Sequence, residues 1–156
     1  MKTVLIAIDE FAKASTKPID ILESAGFDVI LNDAGDSLDS KIHVDLFKNA
    51  DYVIAGLEPY SASFFEKFKD INAISRVGVG VDCIDLISAT KHSVKIFITS
   101  DKPSVAVAEL CVSNMISLLR HTLKMSNDLK AKHWKPIQGR ELRSCIVGVV
   151  GVGSIG

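Results

Sequence analysis

Short apolar runs alternate along the first hundred positions with stretches in which apolar residues recur every three or four. Residues 3–8 (TVLIAI) have the length and content of a buried strand. Pro18 then opens a helical pattern in which Ile19, Leu22 and Ala25 share a face, with Gly26 placed to end it. Residues 27–31 (FDVIL) predict a second strand, followed by turn chemistry at 32–36 (NDAGD). Ile42, Leu46 and Phe47 mark a second helix ending near Asn49, and residues 51–55 (DYVIA) a third strand. Ala62, Phe65 and Phe68 line a third helix. Residues 73–77 (AISRV) predict a fourth strand running into Gly78-Val79-Gly80, residues 84–91 a short helix, and 94–98 (VKIFI) a fifth strand. Strands alternating with helices at this spacing predict right-handed βαβ units around a parallel sheet, a doubly wound α/β domain complete by Thr99.

Beyond that point the pattern changes. From Pro103 to about Lys132 it predicts one long helix, far above the average of roughly 11 to 12 residues. Its first half (SVAVAELCVSNMISLL) is apolar nearly all round and predicts burial; its second half keeps one polar face beside Leu123, Met125 and Leu129. Such a helix outgrows a small domain and is expected to bridge to a second domain, a second subunit, or both. The expected division is therefore 1–100 and 101–156. After Trp134-Lys135-Pro136, residues 145–150 (CIVGVV) predict a new buried strand leading straight into Gly151-Val152-Gly153-Ser154-Ile155-Gly156. A GxGxxG run after a strand is a dinucleotide fingerprint. Gly151 would make the tight turn, Gly153 would admit a pyrophosphate, and Gly156 would let the next helix pack closely. The helix whose N-terminus would hold the pyrophosphate, and the acid roughly 20 residues on, lie outside these positions. The motif is half a site. The bland alternative is a glycine-rich tail after a strand; a P-loop is excluded, since no Gly-Lys-Ser/Thr occurs.

Composition narrows the class. The chain has 156 residues, enough for one ordinary domain and short for two complete ones. Eighteen Lys+Arg against nineteen Asp+Glu leave a net charge of -1, which gives no pull on nucleic acid or anionic lipid. At 47% hydrophobic and 24% charged the chain is globular. Its 15 Val and 17 Ile against 13 Leu favour strands buried on both faces. The opening MKTVLIAIDE does not read as a signal peptide, and no stretch approaches the roughly 18 apolar residues of a membrane span. Cys83, Cys111 and Cys145 are far apart with no CxxC, so neither disulfides nor a metal are expected and a cytoplasmic location is.

Three segments then carry a resemblance. Residues 74–85 (ISRVGVGVDCID) resemble the RxGxGxDxID turn of the D-isomer-specific 2-hydroxyacid dehydrogenases, the family of D-3-phosphoglycerate dehydrogenase, hydroxypyruvate/glyoxylate reductases and D-lactate dehydrogenase. Residues 105–120 (VAVAELCVSNMISLLR) resemble its VAExxxxxxLxLxR helix. Residues 139–142 (GREL) and 146–156 (IVGVVGVGSIG) resemble its GxELxxxxxGxxGxGxIG stretch. The motifs follow the family's order and cover essentially the whole chain. The resemblance implies a flavodoxin-like substrate domain, then the start of a Rossmann domain for NAD (or NADP) entered through the long helix, which in the family also packs a homodimer. It implies hydride transfer between nicotinamide and the 2-carbon of a D-2-hydroxy or 2-oxo acid. The family's catalytic arginine, glutamate and histidine lie beyond these motifs, so no catalytic residue is assigned.

The same resemblance assigns binding residues. Val79 and Gly80 fall where the family's turn offers backbone N–H groups to the substrate carboxylate, Val79 also near the nicotinamide. Arg76 stands where the family often has an arginine facing the substrate cleft. Gly151, Gly153, Ser154, Ile155 and Gly156 match the cofactor fingerprint, Ser154 and Ile155 as the positions whose backbone touches the pyrophosphate. Physically, a glycine-flanked turn at a strand's carboxyl end is where open α/β sheets bind ligands, and small residues let an anion reach the amides. Cys83 stands where the family commonly has asparagine, and DKPS at 101–104 departs from its frequent asparagine-containing lead into the helix.

Blander roles remain beside these. The turn could be ordinary, and Arg76 could form an internal salt bridge. Asp82 and Asp85 are expected to cap the following helix, and Glu109 to be a buried carboxylate bonded to backbone or to Arg/Lys. His43, His92, His121 and His133 are expected to be solvated or hydrogen-bonded, and Trp134 to pack under the connection after the long helix. With half a fingerprint and no catalytic trio, the chain alone is expected to lack turnover, and 145–156 to be an unpaired apolar strand prone to aggregation or disorder. The competing class is a non-catalytic dimerising or regulatory module. A receiver or flavin domain is disfavoured, since no acids cluster at a strand end and no Ser/Thr phosphate loop occurs.

Overall fold

Each strand of the first unit is laid down beside an earlier one by a helical crossover. The computed structural model describes residues 1–32, 38–39, 43–100 and 103–156. Ile42, most of the turn expected at 32–36, and Asp101 and Lys102 fall outside them. The elements are β1 (Lys2–Ile6), α1 (Lys17–Ser24), β2 (Phe27–Leu31), α2 (Val44–Lys48), β3 (Tyr52–Ala55), α3 (Ala62–Lys67), β4 (Ala73–Arg76), α4 (Leu86–Lys91), β5 (Lys95–Ile98), α5 (Ser104–Arg120) and α6 (Thr122–Lys130), then a 3₁₀ turn at Leu142–Ser144. The chain divides into two compact units, Met1–Lys102 and Pro103–Gly156.

In the first unit five parallel strands are ordered β2-β1-β3-β4-β5. The order reverses between β1 and β3, so the crossover helices cover opposite faces and a crevice opens at the strands' carboxyl ends. Register puts Ile30, Leu5, Val53, Ile74 and Ile96 in one row across the sheet. That row meets a core built of Phe47 from α2, Phe64 and Phe65 from α3, Ala89 from α4, and Tyr60 and Phe68 beside them. Phe64 is the hub, with ring centroids 4.8 Å from Tyr60, 4.9 Å from Phe68, 5.3 Å from Phe47 and 5.4 Å from Phe65. Such pairs add about 0.5–1.5 kcal/mol each beyond burial. At the other end of the strands the Asp51 carboxylate accepts the Thr3 N–H at 2.8 Å and pairs with Lys2, tying β1 to β3.

The second unit corrects three expectations. The long helix is two helices, because His121 adopts left-handed backbone (φ 54, ψ 34) between α5 and α6. The break has a partner: the Arg140 N–H bonds the Leu119 carbonyl at 3.0 Å, and Gly139 lies so close that a Cβ there would come within 2.6 Å of the same oxygen. The end of α5 is thus satisfied by a crossing segment, which no periodicity reveals. Residues 145–150 form no strand, and Ile146 and Val150 are fully exposed. A strand exists only through ladder bonds to a neighbour, and none is present among the described residues. Nor is the apolar half of α5 buried: Val105 is 73% and Leu118 77% exposed.

Candidate functional site

At the carboxyl ends of the neighbouring strands β3 and β4 two connections meet. The first is the turn after β4. The ladder runs one residue past the strand, with the Val77 N–H on the Ala55 carbonyl at 2.8 Å, and Gly78 then kinks the chain at φ +142. Thr99, just past β5, holds the kink. Its N–H bonds the Gly78 carbonyl at 3.1 Å, and its Oγ1 accepts the Gly78 N–H and donates to the Arg76 carbonyl, both at 3.3 Å. The Arg76 side chain folds back over Gly78 and occupies the space a Cβ would need. Its Nε is buried without a hydrogen bond, and among the described residues no carboxylate forms a salt bridge with it. The internal salt bridge expected as the bland role of Arg76 is absent from this set.

Past Gly78 the amides of Val79 and Gly80 donate to nothing among the described residues, and both residues are exposed. The turn is fastened again where the Ile84 N–H bonds the Val81 carbonyl at 2.9 Å. Asp85 caps α4, its Oδ1 accepting the Ser88 N–H and its Oδ2 the Ser88 hydroxyl, both at 2.9 Å. Those two bonds hold its carboxyl below the usual carboxylate range. Asp82 is exposed and makes no cap bond.

The second connection follows β3 and contains groups the sequence pattern did not single out. Glu58 is 5% exposed, and its Oε2 accepts the Gly56 N–H at 2.7 Å and the Tyr60 hydroxyl at 3.3 Å. Burial, then the Glu58 charge and that hydrogen bond, pushes the Tyr60 hydroxyl well above its ordinary value. Tyr60 in turn joins the two connections: its N–H bonds the Cys83 carbonyl at 2.8 Å and its carbonyl accepts the Asp85 N–H at 2.9 Å. The Cys83 thiol lies 3.9 Å from the Gly56 carbonyl. The signal that could have marked Glu58 is an acid set between Leu57 and Pro59 at a strand's carboxyl end, where a solvated loop would carry small polar residues.

The fingerprint residues stand apart from any cradle. Gly151 takes φ +92, and a Cβ on Gly156 would come within 2.5 Å of the Gly151 carbonyl, so 151–156 turns back on itself. Residues 145–150 form no strand before Gly151, and Gly153, Ser154 and Ile155 lie in irregular backbone. Ser154 instead borders a groove along α5 with Val105, Ala108 and Val112. A pyrophosphate cradle is built on converging amides at a helix N-terminus, whereas residues 151–156 here fold back on themselves. Glu109 is exposed on α5 rather than buried, and Trp134 is 79% exposed rather than packed under a connection. Both expectations assumed cover that this chain does not supply. The histidines are dispersed: His43 Nδ1 lies 3.1 Å from the Asp39 carbonyl, His92 stacks on Phe65, His121 breaks the helix and His133 follows α6. Among the described residues no cluster could hold a metal, and no helix is long and apolar enough to cross a membrane.

The first unit is thus an open parallel α/β sheet whose carboxyl edge carries a glycine turn and an arginine without a salt bridge among the described residues. Residues 6–147 match the model of the D-isomer specific 2-hydroxyacid dehydrogenase catalytic domain, and the chain belongs to that family. It is 36% identical over 128 residues to the D-lactate/D-glycerate dehydrogenase of Pediococcus acidilactici, covering 78% of this chain and 38% of that one. It is 31% identical over 106 residues to the hydroxypyruvate reductase of Thermotoga maritima, covering 67% and 35%. The chain thus spans well under half the length of these relatives. Among solved structures, the NAD+-bound 3-phosphoglycerate dehydrogenase of Entamoeba histolytica superposes with a TM-score of 0.70 at 26% identity, covering 90% of this chain and 43% of that one.

Proposed function

We propose that this chain supplies the substrate-binding part of an NAD- or NADP-dependent D-2-hydroxyacid dehydrogenase, residues 1–100 being its flavodoxin-like domain. In this reading Arg76, Val79 and Gly80 hold the carboxylate of a 2-hydroxy or 2-oxo acid. One observation carries it: at the carboxyl edge of the sheet, two amides without a partner among the described residues follow closely on an arginine that forms no salt bridge within that set. Two N–H groups and a fixed positive charge can take both oxygens of a carboxylate through charge-assisted bonds, leaving the 2-carbon to be presented outward. The cofactor assignment to Val79, Gly151, Gly153, Ser154, Ile155 and Gly156 rests on the family and the glycine pattern. Since 151–156 forms no cradle here, no step is drawn through the nucleotide. Packing of a homodimer through 103–132 belongs to the same reading and is supported by the exposed apolar residues of α5.

Calorimetric titration of the chain with pyruvate and hydroxypyruvate tests the site. Binding should be weakened about 10- to 100-fold by Arg76→Gln, the loss of one charged hydrogen bond of about 1.5–3 kcal/mol. Wild-type protein that binds neither acid refutes the reading. Mixed with NADH and these acids, the chain should give no steady loss of nicotinamide absorbance. A second reading, a non-catalytic dimerising module, is favoured by the absence of a strand at 145–150. A native mass showing a stable dimer of 156-residue chains that binds neither acid would select it.

A further inference from the structure

The turn that offers the Val79 and Gly80 amides is fastened at two ends and free between them. Thr99 holds its start at Gly78, and Tyr60 holds its end through Cys83 and Asp85. The second fastening is only as fixed as Tyr60, whose ring is 1% exposed and whose hydroxyl meets Glu58. Glu58 also grips the Gly56 N–H, and Gly56 is where the connection leaves β3. The grip is close: a Cβ on Gly56 would lie 2.9 Å from Glu58 Oε1 and 3.2 Å from Ile8 Cγ1. A buried carboxylate is a costly way to hold a loop unless its bonds are kept, and removing it strands the donors it satisfied.

We propose that Glu58 is a positioning residue for the substrate turn: by tying the Gly56 N–H to the Tyr60 hydroxyl, it fixes the β3 connection against residues 83–85 and so sets the direction of the Val79 and Gly80 amides. The proposal rests on the reading of that turn as an acid-binding site. The path is short and bonded at each step, from Glu58 to Tyr60, from Tyr60 to Cys83 and Asp85, and back through the Ile84-to-Val81 bond to Gly80. Val79 and Gly80 make no hydrogen bond of their own among the described residues, so a shift at Cys83 reaches them against the anchor at Gly78 alone. Both donors meet the same Oε2, so a glutamine keeps one carbonyl oxygen able to accept from the Gly56 N–H and the Tyr60 hydroxyl, whereas alanine keeps neither bond.

The test is nitrogen-15 NMR of the whole chain, with pyruvate as the probe. Glu58→Ala should move the amide resonances of Val79, Gly80 and Cys83 while those of β1 and β2 stay in place, and should weaken pyruvate binding at least tenfold. Glu58→Gln should restore both to within about threefold of wild type. A residue that merely stabilises the fold would lower the urea midpoint yet leave those amides and the affinity of the folded protein unchanged, and that result overturns the proposal. Should Glu58→Ala not fold, Gly56→Ala takes its place, since the added methyl displaces the carboxylate without removing it. Unmoved turn amides in that variant overturn the proposal equally. Wild-type protein that ignores pyruvate would sink the substrate reading alone, and the amide shifts would still decide whether Glu58 directs the turn.

Discussion

Tyr60→Phe removes one oxygen from a packed position and leaves the ring, 4.8 Å from Phe64, in place. The lost interaction is a hydroxyl donating to a carboxylate at 3.3 Å. Hydrogen bonds to charged groups contribute about 1.5–3 kcal/mol at good geometry, and this one is long, so the variant should be destabilised by about 1 kcal/mol near pH 8. The difference must then change with pH. Burial and Glu58 raise the folded-state value of Tyr60, so the folded protein keeps a proton that the unfolded chain gives up. A raised value contributes stability that is complete below the unfolded value of about 10 and is lost as pH climbs from there toward the folded one. Wild type should lose about 1.4 kcal/mol relative to the variant by pH 11, and the order of stabilities should reverse near there. Lys2, raised by Asp51, also weakens in alkali, but identically in both proteins. Urea unfolding followed by far-UV circular dichroism at pH 8, 10 and 11 measures the gap. A difference that stays constant across that range refutes the account of Tyr60 as a buried, Glu58-bound hydroxyl.

Gly78→Ala should cost about 2 kcal/mol or more and abolish pyruvate binding, because φ +142 is strained for alanine and the methyl displaces the Arg76 guanidinium; thermal melting and titration read the two effects. Asp85→Ala should lower the melting temperature by removing the cap of α4. Since the Asp85 carboxyl sits below its ordinary value, its contribution is present above about pH 4 and lost as pH falls through the folded value, so melts of wild type and variant should converge in acid. Phe64→Leu should cost about 2–3 kcal/mol by deleting the hub of four ring contacts, visible as a lower urea midpoint; a cost below about 1 kcal/mol would show that the rings pack as plain volume.

The strands were legible because each is a short run with β-branched residues set off by turn or helix signals, and residues 27–31 coincide with β2; burial on both faces, expected from the Val and Ile content, is not reached in the edge strands β2 and β5. Helix edges were less so. The helix expected from residue 84 begins at Leu86, because Ile84 is taken into a bridge with Tyr60, a contact between connections that periodicity does not encode. The cap at Asp85 was readable from residue type, the corresponding role of Asp82 was not realised, and the break at His121 depends on a carbonyl captured from a distant segment. Residues 145–150 carry a strand's composition without a neighbour to pair with. In the candidate site, the glycine turn stood out by pattern and Arg76 through the family resemblance. Glu58 and Thr99 did not, because their work is to hold backbone from another connection, and only three-dimensional placement reveals which backbone that is.

Between the two fastenings at Gly78 and Cys83, Val79 and Gly80 are exposed and their amides donate to nothing among the described residues. On the proposed reading, an arriving carboxylate breaks no hydrogen bond made by these amides among the described residues, so capture needs little rearrangement and should proceed at a rate governed by encounter. Read so, the turn would recognise an acid group and nothing further along the molecule. Discrimination among acids of differing length must come from the surroundings of the carbon chain, and can change there without disturbing the grip.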